Sequence, residues 1–321
     1  MSALTPRLRA VSHVAAVAVL GGLLVLAVRR FDLAHLTLVL GTARPAWVAL
    51  AVASYVAILP LWALQWCVLA PPTGESRFGR MLGVIAMYSS VLNTTPLLVG
   101  EAAALMFLVA RAGISRAAAL SMLAMDQLVL GIAKVSVLVL AAWLVSLPLW
   151  MQRGMRALSL AVALLLVALL AVAWGDRSVA RVAQRLPERG GRVLHAVAGA
   201  LAPLRSPWRG GSSLLLALLK KLAEIVAILC VQRAFGVVLP FGSAVLVLAA
   251  LNLATLVPIV PGNVGVYEAA IVVAYTHLGV DADRALGMAL VQHACYFVAL
   301  ALPGYGWLAR GARSRSAAAS P

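Results

Sequence analysis

Long apolar runs, separated by short polar segments rich in arginine, recur along the whole chain. A helix rising about 1.5 Å per residue needs about 20 apolar residues to cross roughly 30 Å of hydrocarbon. Runs of that order cover about 12–28, 46–69, 118–147, 157–174, 213–235 and 285–308, and each predicts a spanning helix. Two further runs, 80–110 and 242–276, are too long for one ordinary span and short for two. Both are interrupted near the middle, at "NTTPLLVGE" (93–101) and "PIVPGNVGVYE" (258–268). Proline removes a backbone donor and glycine loosens a helix, so each run predicts two half-length helices joined by irregular chain.

Composition makes a bilayer the solvent. The 321 residues are 64% hydrophobic and 11% charged, with a mean hydropathy of +1.02, more apolar surface than a soluble domain needs. A net charge of +16 would suggest nucleic acid in a soluble protein. Here the arginines sit between apolar runs, which points to loop orientation and anionic lipid headgroups. Basic patches interleaved with aromatic residues are absent, so nucleic-acid binding is not expected. Cys67, Cys230 and Cys295 lie within apolar runs and lack metal-type spacing; they read as small buried hydrophobes, with no disulfide, metal or cofactor implied. Arg7 and Arg9 precede the first apolar run, which reads as an uncleaved span.

Arginine counts choose the topology. If both broken runs enter and return, sixteen arginines fall on one face, including the seven between Arg177 and Arg209, and seven fall on the other. Were 80–110 a single crossing, the basic 177–209 stretch would lie outside, against the positive-inside tendency. The hairpin arrangement therefore places both termini in the cytoplasm.

The two broken runs also resemble each other. Phe78-Gly79 matches Phe241-Gly242, Pro96 matches Pro258, and Gly100-Glu101-Ala102-Ala103 resembles Gly265-x-x-Glu268-Ala269-Ala270. Gly113, Ala119 and Met122 match Gly279, Ala285 and Met288 at one constant offset. Three spans separate the copies, so the second enters from the opposite face. The fold class expected is an all-α polytopic membrane protein of about six full spans plus two re-entrant helical hairpins in an inverted repeat. It forms one membrane domain over 1–321: a first repeat at 78–150, a cytoplasmic interfacial connector at 175–212 and a second repeat at 241–308. Irregular backbone at this depth needs burial or a wet cavity, and discontinuous helices meeting near the midplane are a carrier architecture.

Candidate chemistry gathers at the breaks. Glu101 and Glu268 each open a returning half-helix, where a carboxylate either caps its own turn or handles substrate or protons. Asn93, Pro96, Gly100, Pro258, Pro261, Gly262 and Gly265 are expected to form the turns. In the span after the first hairpin, Gln127 and Lys134 are seven apart and share a face, with Asp126 roughly 80° away. Lys134 needs an anion there, and Asp126 or a glutamate is available. His293 and Gln292 occupy the second-copy positions of Gln127 and Asp126. Lys220 and Lys221 precede Glu224 by four and three residues; they either snorkel to the cytoplasmic interface with local pairing or meet a phosphate headgroup.

"PGNVGVYEAAIVVAYTHLGVDADRALGMALVQH" (261–293) resembles the Pro-Gly-x-x-Gly-x-x-Glu stretch of the lysylphosphatidylglycerol synthase transmembrane region family, also called the flippase-like domain. "NTTPLLVGEAAALMFLVARAGISRAAALSML" (93–123) resembles its N-proximal counterpart. The resemblance implies a bacterial inner-membrane protein, similar to the part of the multiple peptide resistance factor that moves aminoacylated phospholipid. The family often carries an arginine where this chain has Ala104, and others near Gln127 and His293; if those arginines grip a phosphate, this chain either grips it differently or handles another substrate. The chain ends about a dozen residues after its last span, so no aminoacyl-transferase activity is expected, and no other enzyme constellation is found.

The expected function is a transporter or flippase for a phospholipid or lipid-linked intermediate, acting by alternating access. The partner is a membrane lipid, anionic or lipid-linked, and a homo-oligomer is compatible with the sequence. A small-solute carrier and a non-transporting partner of a lipid-modifying complex are the alternatives.

Overall fold

The computed structural model describes residues 40–70, 78–95, 99–174, 191, 206–256 and 260–307, without the side chains of 169–174, 207 and 261. The span expected at 12–28, most of the 175–212 connector, and Pro96 and Pro258 lie outside these residues. All regular structure among the described residues is helical.

Helices α1 (Pro45–Val56) and α2 (Ile58–Leu69) form one bent span. Pro45 starts it at a position whose N–H has no helical partner. The bend at Ala57 follows from Pro60, which lacks the N–H that would bond to Val56. The run 80–110 is broken into α3 (Phe78–Thr94) and α4 (Val99–Ala112). Ser115 then caps α5 (Arg116–Leu144), its Oγ accepting from the Ala118 N–H at 3.3 Å. Helix α6 (Leu149–Trp174) and α7 (Pro207–Ala234) follow. The run 242–276 is broken into α8 (Phe241–Ala254), a 3₁₀ turn (Pro261–Asn263) and α9 (Val266–His277). Asp281 caps α10 (Ala282–Leu300) by accepting from the N–H groups of Asp283 and Arg284.

Among the described residues four helices are long and apolar enough to cross a membrane: Pro45–Leu69, Arg116–Leu144, Leu149–Ala168 and Ala282–Trp307. Helix α7 has 28 residues but carries Lys220, Lys221 and Glu224 in its middle. Two starts differ from expectation. Helix α6 begins at Leu149 rather than 157, because Arg153 and Arg156 lie about one turn apart and keep their side chains exposed. Helix α7 begins at Pro207 rather than 213, so 207–212 belongs to that helix and not to a separate connector.

The arms of both broken runs are short. The 17 residues of α3 and 14 residues of α4 and α8 rise only about 26 and 21 Å. Helix α3 packs along α4, and α8 along α9, so the chain doubles back at both breaks. Helix α8 is buried from Gly242 to Asn252 on every face, which places it in the centre of the protein. Helix α6 instead exposes Leu160, Leu164 and Val167, an outward apolar face.

Two long helices order the hairpins in space. Along α7, the Arg209 guanidinium donates to the Ala70 carbonyl at 2.7 Å, Lys220 lies 4.8 Å over the Trp62 ring, and Lys221 donates to Asn252 at 3.2 Å. Further along, Gln232 donates to Ser243 at 3.0 Å and the Ala234 carbonyl accepts from the Arg44 N–H at 2.9 Å. Along α10, Arg284 bonds the Phe235 carbonyl, His293 meets Glu268, and Tyr296 donates to Asn93. Beyond it, Gly304 lies against Ala86, and Trp307 comes within 3.1 Å of the Cβ position of Gly83. The open end of the α8–α9 hairpin thus lies at the Arg284 end of α10, and α3 extends from its tip towards the Trp307 end. Between them the two tips touch: a Cβ on Gly262 would stand 3.1 Å from the Asn93 carbonyl oxygen.

Candidate functional site

The tips enclose a cavity of about 240 Å³. Leu92, Asn93 and Glu101 line it from the first hairpin, and Gly262, Asn263 and Tyr267 from the second. Gln127 and Lys134 of α5 and Lys220, Lys221 and Glu224 of α7 complete the polar wall.

The second tip is built by its backbone. Gly262 has φ +64° and Gly265 φ +85°, conformations costly for any residue with a Cβ. Gly265 then serves as N-cap of α9, its N–H donating to Glu268 Oε2 at 2.7 Å. The other carboxylate oxygen, Oε1, is 2.6 Å from His293 Nδ1. Tyr267 stacks on His293 at 4.2 Å between ring centroids, and its hydroxyl accepts from Gln292 at 3.2 Å. Both oxygens of Glu268 are therefore engaged within the second hairpin and α10.

The first tip is arranged differently. The Asn93 amide donates to the Ser89 carbonyl at 2.8 Å, while its Oδ1 accepts from Tyr296 at 3.0 Å. Gly100 lets α4 close on α3, since a Cβ there would fall 2.9 Å from the Leu92 Cα. Glu101 lies in the first turn of α4, yet it makes no hydrogen bond to another described residue, and its buried Oε2 has no partner. The two glutamates occupy matching sequence positions but separate roles. Glu268 is a cap tied to histidine, and Glu101 faces the cavity with an oxygen unsatisfied.

The lysines are also unequal. Lys221 bonds both oxygens of Glu224 at 2.8 and 2.9 Å and is neutralised there. Lys220 is 5% exposed and Lys221 6%, both in the cavity wall rather than at an interface. Lys220 rests on Trp62, whose indole N–H donates to Asp126 Oδ1 at 3.3 Å. Asp126 also accepts from Gln65 Nε2 at 3.0 Å, and is buried behind the wall rather than lining it. Lys134 reaches the cavity without a carboxylate partner among the described residues. Of the partners expected for Lys134, Asp126 is turned towards α2, and no glutamate pairs with it among the described residues.

The cavity thus unites Glu101, Gln127, Lys134, Lys220, Lys221, Glu224 and Asn93. Glu268 and His293 form a separate pair beside it, and Ala104 is buried in the core. Residues not singled out from the sequence complete the site: Tyr55 (within 3.4 Å of the Tyr267 hydroxyl), Trp62, Gln65, Tyr88, Asn252 and Tyr296. Gln65 and Asn252, lone amides inside apolar runs, carried the one readable signal, since a buried amide needs partners.

The family described as lysylphosphatidylglycerol synthase TM region matches residues 13–304. No curated protein and no solved structure matches.

Proposed function

The chain belongs to the lysylphosphatidylglycerol synthase TM region family, and we propose on that premise that it moves a phospholipid or lipid-linked intermediate across the bacterial inner membrane. One observation carries the reading: two hairpin tips meet around a cavity whose wall holds, among the described residues, Lys134 without a carboxylate and Glu101 with an unpaired oxygen. Intramembrane charge left uncompensated is expensive, and a bound headgroup offsets that cost.

The order of contacts along α7 and α10 supports an inverted repeat with the hairpins entering from opposite faces. Arg44, Arg233 and Arg284 gather at one end of that order and Arg209 at the other, the division that the hairpin topology expects; the arginine count of the whole sequence, sixteen against seven, makes the Arg209 end the cytoplasmic one. With a span at 12–28 and with α7 admitted as a crossing, about six spans result. Helix α7 tolerates its charges because Lys220, Lys221 and Glu224 face the interior and not lipid.

The mechanism is alternating access. The headgroup enters between the tips while its acyl chains stay in the bilayer. Rocking of the first hairpin against the second then opens the cavity to either leaflet. The second hairpin is held to α10 by the Glu268–His293 bond and the Tyr267 stack, and the first by the Asn93–Tyr296 bond. No catalytic step is assigned, and the protein acts as a carrier rather than an enzyme.

Reconstitution into liposomes holding a fluorescent phospholipid tests this. Translocation by the wild type, and its loss in the Lys134→Met chain, is the expected result. Equal rates with and without protein would remove the carrier reading.

A further inference from the structure

The charges around the cavity balance. Lys134, Lys220 and Lys221 supply three cations, Glu101 and Glu224 two carboxylates in the wall, and Asp126 a third just behind Trp62. Glu268 lies outside this set, its charge held by His293 and the Gly265 N–H. In a low-dielectric site, a ligand of net charge would leave that charge uncompensated, whereas a ligand whose own charges cancel would not. Within the balance Lys134 and Glu101 lack direct partners and have opposite sign, while Lys220 has the Trp62 ring but no carboxylate among the described residues. Lys134 has no carboxylate among the described residues, and the buried Glu101 Oε2 has no donor. Lys221 and Glu224, by contrast, satisfy each other.

We infer that the headgroup this cavity takes is a compact zwitterion, a phosphate bearing a primary ammonium, with the phosphate on Lys134 and Lys220 and the ammonium donating to Glu101. The inference rests on the reading of the cavity as a headgroup site and narrows it from an anionic ligand to a neutral one. A phosphate alone satisfies Lys134 but leaves Glu101 Oε2 bare. A quaternary ammonium balances the charge but has no N–H to donate.

The test uses the purified full chain in detergent. Thermal unfolding is followed while dihexanoyl phosphatidylethanolamine, phosphatidylglycerol or phosphatidylcholine is added, and Kd is taken from the shift in Tm. The ethanolamine lipid is expected to bind about tenfold tighter than either other lipid, the effect of one charge-assisted hydrogen bond. Glu101→Gln should abolish its advantage over the choline lipid, and Lys134→Met should weaken all three. Phosphatidylglycerol binding as tightly as phosphatidylethanolamine to the wild type overturns the inference, and that comparison needs no variant to fold. Glycerophosphoethanolamine, the head without chains, distinguishes a lipid from a soluble source: tighter binding of the acylated form identifies the lipid. Liposome translocation is scored separately. A chain that translocates lipid without this preference loses the zwitterion alone; one with the preference but no translocation loses the carrier reading alone.

Discussion

His293 Nδ1 stands 2.6 Å from Glu268 Oε1, while Gln127, at the matching position of the first copy, forms no such bond to Glu101. The two halves share a sequence pattern but not its contacts: Glu268 caps α9 and bonds His293, whereas Glu101 Oε2 has no partner among the described residues.

Removing the structural glutamate should therefore cost stability. Glu268→Ala loses the cap on α9 and the bond to His293, and is expected to destabilise the chain by about 2 kcal/mol. Glu101→Gln removes no hydrogen bond or ion pair to another described residue and should unfold within a degree or so of the wild type, by thermal denaturation in detergent. Equal losses in the two variants would contradict the division of roles.

Lys134 and Asp126 should separate in the same way. Asp126→Ala strands the Trp62 and Gln65 donors and is expected to cost about 1–3 kcal/mol. Lys134→Met removes a cation with no carboxylate partner among the described residues, so stability should hold or rise while liposome translocation falls at least about tenfold. A Lys134→Met chain that unfolds early would mean that the ammonium is structural.

Gly304 fixes how closely α3 approaches the chain after α10. A Cβ there would run into the Ala86 carbonyl, which is backbone and has little room to yield, whereas Gly306 has nothing within 4 Å. Gly304→Ala should destabilise by about 1–3 kcal/mol and Gly306→Ala by less than about 0.5, read as denaturation midpoints.

Much of this arrangement was legible because it rests on punctuation. Proline and glycine near 96, 258 and 262 mark the breaks at any depth, since they act on backbone hydrogen bonds whatever the solvent. The seven-residue spacing that puts Gln127 and Lys134 on one face also holds, with Asp126 off that face. The partners of Asp126 were not legible. In a chain this apolar nearly every face of a helix is hydrophobic, so periodicity loses its power to say which neighbour a helix meets. Trp62 and Gln65, some sixty residues away, are chosen by packing between α2 and α5. The functional split between Glu101 and Glu268 was equally hidden, because it depends on whether histidine or glutamine stands 25 or 26 residues downstream and on where that residue reaches.

The opposed entry of the hairpins is the claim on which the cavity's role depends, and sided labelling tests it most directly. In a background without native cysteines, Gly79→Cys reports the base of the first hairpin and Ala282→Cys the start of α10, just after the base of the second, both at exposed positions. Treated with a membrane-impermeant maleimide in sealed vesicles of known orientation, the two cysteines should label from opposite faces. Labelling of both from one face would contradict the account.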